Sequence, residues 1–199
     1  MSYPQVHVGV TGSIGTGKST LCKMARRLKI PVFSSDKAVH ELLDSDREII
    51  RELSEKVPES FGDGKINRRV LGDWVFKSPE KIRWLERLLH PKIEEKRKAF
   101  FSHYTQKSLI VSEIPLLFEV GYEKECDIII VTTCSFFTQK ERTFRRKGMT
   151  EEKFQAILDR HIPLSEKEKK ANFVISTEGT KLETFKQLRN VFQKCKVLF

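Results

Sequence analysis

Near the amino terminus, the run Gly12-Ser13-Ile14-Gly15-Thr16-Gly17-Lys18-Ser19 has the types and spacing of a phosphate-binding loop, G-x-x-x-x-G-K-[ST]. Its glycines let the backbone fold tightly, so successive N–H groups can face an anion with no side chain in the way, and the dipole of a following helix acts with them. In such a loop Lys18 reaches the β- and γ-phosphates and the Ser19 hydroxyl takes the Mg²⁺ that bridges them. Residues 12–19, with Thr20 after them, are therefore read as contacts for a nucleoside triphosphate. The elements D-x-x-G and N-K-x-D of a GTP switch occur nowhere in the chain, so a phosphotransferase is the better reading.

Three further groups have suitable chemistry. Asp36 can accept a proton from an attacking hydroxyl, or it can cap a helix running from Lys37 to Leu43. Glu113 can hold a Mg²⁺ water as a strand-end carboxylate, or it can be an ordinary acid in that place. Arg142, Arg145 and Arg146 are spaced so that Arg142 and one of the other two share a helix face. They can neutralise charge on a transferring phosphoryl group, or they can form a solvated basic face. His40, His90, His103 and His161 lack any Ser, Cys or metal-type constellation and each reads as structural. Trp74 and Trp84 read as core anchors.

The elements that must position these groups follow from periodicity. Gln5 to Thr11 is a short β-branched run ending in glycine, a buried strand. From Lys18, Leu21, Met24, Ala25 and Leu28 share one helical face, and the helix stops before Pro31. Val32 to Ser34 is the next strand, which makes a βαβ crossover and a parallel sheet. Its carboxyl end opens on the same crevice as the phosphate loop, so Asp36 falls there. The chain then reads as almost wholly helical to Gln106, with Ser78 and Pro79 opening one helix and Pro91 another. Leu109 to Glu113 and Asp127 to Thr132 are strands apolar enough to be buried on both faces. Gln139 to Lys170 reads as a helical hairpin with a break at Gly148, a cap at Thr150 and a capping box from Ser165 to Glu168. Phe173 to Ile175 is a last strand. Thr180 and Glu183 form a capping box before a final helix with Leu182, Phe185, Leu188 and Phe192 inward.

Alternating strands and helices predict an α/β fold: a three-layer α/β/α P-loop NTPase with a parallel sheet, a helical insertion and a helical lid. The expected nucleotide-binding core is 1–36, 107–138 and 171–199, the insertion 37–106 and the lid 139–170. An acceptor-binding insertion plus an arginine-bearing lid is the layout of a small-molecule kinase.

The chain has 199 residues, with 37 Lys and Arg against 27 Asp and Glu, a formal charge of +10. That charge admits a basic nucleic-acid-binding P-loop protein, but no helix-turn-helix, RNP or zinc signature accompanies it. Residues 65–107 hold 12 basic and 5 acidic residues and residues 139–170 hold 10 and 6, so the excess lies in the insertion and the lid. It reads as a field for two small polyanions, with no nucleic acid as partner. No apolar stretch approaches the roughly 20 residues that span a bilayer, and no secretory signal is visible. Cys22, Cys126, Cys134 and Cys195 are scattered, as reduced cysteines are. The expected setting is cytoplasmic, without a membrane, as a monomer or weak homo-oligomer.

With these residues in hand, the chain resembles the dephospho-CoA kinases over nearly its whole length. The segments that carry the resemblance are the P-loop, Ile30-Pro31-Val32 with Asp36 and His40-Glu41-Leu42, then Arg69 and the stretch from Trp84-Leu85 to Leu88-Leu89-His90-Pro91. Pro115-Leu116-Leu117-Phe118-Glu119, Arg142, and Phe173-Val174-Ile175 leading to Gly179 complete the series. The resemblance implies transfer of the γ-phosphate of ATP to the ribose 3′-hydroxyl of dephospho-CoA with Mg²⁺, the last step of coenzyme A synthesis. It implies Asp36 as base, Lys18 and Arg142 as transition-state stabilisers, Arg146 and Gly179 among the ATP contacts, and a metal held by Ser19 and, through water, Glu113. His40, Arg69, His90, Leu117 and Glu119 fall, with Asp36, on the dephospho-CoA side, and the insertion 37–106 is the dephospho-CoA-binding part. Another P-loop nucleoside or nucleotide kinase is the alternative. The chain departs from the family pattern in four places. Ser34-Ser35-Asp36 replaces Asp-Ala-Asp, Glu113 replaces Asp, His161 replaces a lid Gln, and the usual Asn after Val174-Ile175 is absent from Ser176-Thr177-Glu178-Gly179.

Overall fold

The computed structural model describes residues 5–198, with side chains through residue 195; residues 1–4 and 199 of the expected core lie outside the described residues. The chain divides into two compact units, one of residues 1–34 with 104–199 and one of residues 35–103.

In the first unit, five strands make a wholly parallel sheet among the described residues: β1 (Val6–Gly12), β2 (Val32–Ser34), β5 (Leu109–Glu113), β6 (Ile128–Thr133) and β7 (Phe173–Ser176), in the order β2-β5-β1-β6-β7. Both faces are covered, and the period of two along the strands shows how. Val6, Val8 and Val10 of β1 and Ile128 and Ile130 of β6 turn to one face, where Leu21, Cys22, Met24 and Ala25 of α1 (Lys18–Arg27) and Leu188, Val191, Phe192 and Cys195 of α9 (Lys181–Leu198) close on them. Ile129 and Val131 turn to the other face, against Ile114, Leu117 and Phe118. Ile162, Leu164 and Ala171 from the segment around α8 (Leu164–Lys170) pack there too. Continuous apolar strands are thus buried on both sides, as a parallel sheet requires, and the three layers are α/β/α.

The second unit has its own core, built by Leu42 and Leu43 of α2 (Ser35–Ser45), Ile49 and Leu53 of α3 (Arg47–Lys56), Leu71 and Val75 of α4 (Arg68–Val75), and Leu89 of α5 (Pro79–His103). Trp74 and Trp84 meet edge to face at 6.0 Å beside it, the anchoring role expected of them. The stretch is almost wholly helical as expected, interrupted where Phe61–Gly62 and Lys65–Ile66 pair as the antiparallel hairpin β3–β4. Its turn, Asp63-Gly64, has φ of 51° and 75°, the Asp-Gly signature of a two-residue turn. Pro91 does not open a helix but lies inside α5. Proline removes one donor, yet Leu88 and Leu89 before it and Ile93 after it share the same apolar cluster, so packing carries the helix through.

Segment 139–170 also differs from a simple hairpin. It contains most of α6 (Phe136–Phe144), then α7 (Glu151–Asp159) and α8, and clusters with the first unit. Thr150 caps α7 as expected, accepting from Lys153 N. Ser165 does not cap α8, because that helix starts at Leu164 after Pro163 and Ser165 is already inside it. The Thr180–Glu183 box forms in both directions. Leu182, expected inward, is 62% exposed, since it sits in the first turn before α9 reaches the sheet.

Candidate active site

The phosphate loop leaves β1 at Gly12 and enters α1 at Gly17, whose φ of 93° places it in the left-handed region that glycine tolerates. At Gly15 the constraint is also spatial: a Cβ there would come within 2.6 Å of Gln139 O and Thr143 Oγ1, so α6 lies directly on the loop. Gln139 fixes that contact by donating from Nε2 to Ser13 Oγ at 2.9 Å. Lys18 folds over the loop, its Nζ donating to Gly12 O at 3.0 Å and Ser13 O at 2.7 Å. Ile14 is buried, and Ser19 and Thr20 are exposed at the start of α1.

Ser19 Oγ donates to Glu113 Oε1 at 2.7 Å. Glu113 is 4% exposed at the carboxyl end of β5, where the sheet register sets it level with Val10 and with Ser34. A hydroxyl and a carboxylate are hard oxygen donors, and their pairing fits a divalent cation that completes its shell with phosphates and water. The same carboxylate, after burial itself, raises the Cys22 thiol behind the loop. The Cys134 and Cys195 thiols are raised by burial, the latter to about 11, and all four cysteines are free. As thiols rather than thiolates, these three are poor nucleophiles.

Arg142, on α6, is half-buried and held by the loop after β7: Nη1 donates to Thr177 Oγ1 at 2.8 Å and Nη2 to Thr177 O at 2.6 Å. Arg145 and Arg146 lie past the end of α6 and are exposed, Arg145 pairing with Glu141 at 2.6 Å. Arg142 is therefore the arginine of the three that is fixed beside the phosphate loop. Glu178 caps the start of α6, accepting from Ser135 N at 2.7 Å and Thr138 Oγ1 at 2.6 Å. Gly179 follows in the same loop, where a Cβ would collide with the Glu183 carboxylate.

Two residues expected on the acceptor side lie in the interior of the first unit. Leu117 is wholly buried in the second-face cluster. Glu119 takes part in a buried ion pair. Its Oε1 lies 2.6 Å from Nζ of Lys167, which is itself 0% exposed, and accepts from Ile162 N at 2.8 Å. Lys167 also donates to His161 Nδ1 at 3.3 Å. Burial, then the charges of Lys167 and Lys18, push His161 down to about 4, and burial lowers Lys167 against the pull of Glu119.

Within the second unit, Asp36 lies in the first turn of α2, which begins at Ser35, so it is inside the helix rather than its cap. Asp36, His40 on the same helix, Arg69 in the first turn of α4 and His90 on α5 are all exposed.

The family model for dephospho-CoA kinase matches residues 6–183. The chain belongs to the dephospho-CoA kinase family. It is 38% identical over 184 residues to a dephospho-CoA kinase of Novosphingobium aromaticivorans, covering 92% of this chain and 91% of that one. To the corresponding protein of Agrobacterium fabrum it is 36% identical, with 94% and 96% covered. Among solved structures, a Thermus thermophilus protein matches with a TM-score of 0.82 at 30% identity over 96% of this chain and 98% of its own. The dephospho-CoA kinase of Campylobacter jejuni matches with a TM-score of 0.66 at 30% identity, covering 95% and 96%. A shikimate kinase of Acinetobacter baumannii shares the fold alone, at 16% identity.

Membership in the dephospho-CoA kinase family makes the chain an ATP-dependent phosphotransferase. Against that background, sequence reasoning missed three residues of the site. Thr177 stands in the loop where the family usually has Asn, and the departure itself was the signal. Gln139 was placed only as the start of a lid, although its position two turns before Arg146 already put it on the face of Arg142 and Thr143. Lys167 is one of three lysines between Lys167 and Lys170, and nothing in its local pattern marks it as buried.

Proposed function

We propose that the protein phosphorylates the ribose 3′-hydroxyl of dephospho-CoA with ATP, giving CoA and ADP. The observation that carries this reading is the constellation of Lys18, Ser19 and Glu113 at the phosphate loop in a chain of this family. Loop N–H groups and the start of α1 take the β- and γ-phosphates, and Lys18 exchanges its loop carbonyls for phosphate oxygens. Asp36, two residues past the end of β2, accepts the proton as the 3′-oxygen bonds to the γ-phosphorus and the bond to the β-phosphate oxygen breaks. Arg142 offsets charge on the transferring group. Mg²⁺, held by Ser19 and through water by Glu113, supplies charge neutralisation across the phosphates when bound. His40, Arg69 and His90 are assigned to dephospho-CoA, and Arg146 and Gly179 to ATP. Among the described residues no helix is long and apolar enough to cross a membrane, and a cytoplasmic setting belongs to the same reading.

A coupled ADP-release assay with ATP and Mg²⁺ tests it. Turnover should depend on dephospho-CoA and yield CoA; a rate indifferent to dephospho-CoA but raised by another acceptor, such as a nucleoside or shikimate, would overturn the assignment. Asp36→Asn should keep ATP affinity while turnover falls by about 10³-fold or more, and a near-normal kcat would remove Asp36 as base.

A further inference from the structure

Thr177 has three tasks at one point. Its Oγ1 accepts from Arg142 Nη1 at 2.8 Å and its carbonyl accepts from Nη2 at 2.6 Å. The single hydroxyl proton goes to Thr16 O, a phosphate-loop carbonyl, at 2.9 Å, with Thr133 O at 3.3 Å behind it. Thr16 is itself bound to the rest of the loop and to β6, through Ser13 O at 2.8 Å and Thr132 Oγ1 at 2.9 Å. The residue is 6% exposed, and it lies so close to the phosphate loop that a Cβ added at Gly17 would come within 3.0 Å of its methyl.

We propose that Thr177 is a positioning residue for phosphoryl transfer, setting the Arg142 guanidinium at a fixed distance from the phosphate loop. An arginine on a surface helix samples many rotamers and loses entropy when it is ordered. Here the protein itself supplies the ordering, because a planar fork is met by two acceptors on one residue. A guanidinium held in advance costs nothing to reorganise as negative charge develops, which is the condition for electrostatic catalysis. The hydroxyl serves because it donates and accepts at once. Valine has the same shape and does neither.

The inference rests on the proposed kinase reaction, and the experiment separates the two. Thr177→Val, Thr177→Ser, Arg142→Ala and the double variant Thr177→Val/Arg142→Ala are compared for kcat and for KM of ATP. The valine variant should lose about ten- to hundredfold in kcat with KM changed less than about threefold, the range for one hydrogen bond to a charged group. Serine should restore the rate to within about threefold, and valine should cost nothing further once Arg142 is alanine. A valine variant within twofold of wild-type kcat, a serine variant as slow as valine, or losses that simply add would overturn the assignment. Should valine not fold, Thr177→Ala takes its place in the same cycle. A second readout needs no acceptor: the ratio of affinities for ADP with aluminium fluoride and for ADP alone. It should fall in the valine variant and hold in the serine variant, whatever hydroxyl the enzyme phosphorylates, and a ratio unmoved by valine also overturns the proposal.

Discussion

Replacing Lys167 by methionine should destabilise the protein in a way that acid repairs. Methionine matches the length of the lysine stem but leaves Glu119 without its cation. That carboxylate sits beside the apolar cluster of Ile114, Leu117, Phe118, Ile162 and Leu164, with Ile162 N–H on Oε1 and no partner at Oε2. Removing one member of a buried pair typically costs ~3–5 kcal/mol. Protonation sets a ceiling on that loss. A carboxyl of ordinary pKa near 4.3 takes up a proton at pH 7 for ~4 kcal/mol, so the deficit cannot much exceed that figure, and at pH 5 the ceiling drops to ~1 kcal/mol. At ~2–4 °C per kcal/mol for a chain of this size, Tm should fall by about 10 °C at pH 7 and by only a few degrees at pH 5. Thermal unfolding followed by circular dichroism at the two pH values measures both. Adding Glu119→Gln, which keeps an acceptor for Ile162 N–H without the charge, should recover most of the loss. A Tm within about 3 °C of wild type at pH 7, or a deficit that does not shrink in acid, would refute this account of the pair.

His161 gives the wild type an acid sensitivity of its own: held near 4 in the folded state by burial first and then by Lys167 and Lys18, it binds fewer protons folded than unfolded. Its stabilising contribution is therefore complete above ~6.5 and is lost as pH falls from there to about 4, a gap worth ~3 kcal/mol before solvent screening and ~1–2 kcal/mol after it. His161→Gln should flatten the decline of Tm between pH 7 and pH 5, and parallel curves for the two proteins would exclude the histidine as its source. At the metal position, Glu113→Ala takes the acceptor from Ser19 and should raise the Mg²⁺ concentration for half-maximal rate by ~10–100-fold; an unchanged Mg²⁺ titration would place the metal elsewhere.

What was legible in the sequence follows the range of the interactions involved. The phosphate loop, β2, β5, the Thr150 cap and the Thr180–Glu183 box are written in neighbouring residues, and each stands where its pattern put it. The place of Glu113 at the end of β5 was legible too, because the apolar run Leu109 to Val111 marks the strand that it closes. Pro91 misled because its local rule, a lost donor, is outweighed by packing from residues on both sides of it. Glu119 and Lys167 were unreadable for the opposite reason: they lie 48 positions apart and meet only once the segment after β5 and α8 cover the same face of the sheet. Leu117 shows the limit of motif reading most plainly. Its place in a family segment carries no sign of burial, yet it is wholly enclosed in the cluster on the second face.

The loop carbonyls link these observations. A loop that binds phosphate through its N–H groups has to turn its carbonyl oxygens away, and each of those oxygens, if buried, needs a donor. Here Thr177 supplies one for Thr16 O, the Thr16 hydroxyl one for Ser13 O, and Lys18 one each for Gly12 O and Ser13 O. The donors differ in what happens when an anion enters. Thr16 and Thr177 are buried and neutral, and they gain nothing by leaving. Lys18 carries a charge, and exchanging neutral carbonyl acceptors for anionic oxygens would strengthen its hydrogen bonds roughly twofold. Ser13 O keeps its bond from Thr16 when the lysine departs. A move of Lys18 to a bound phosphate would therefore leave Ser13 O paired and take a donor only from Gly12 O.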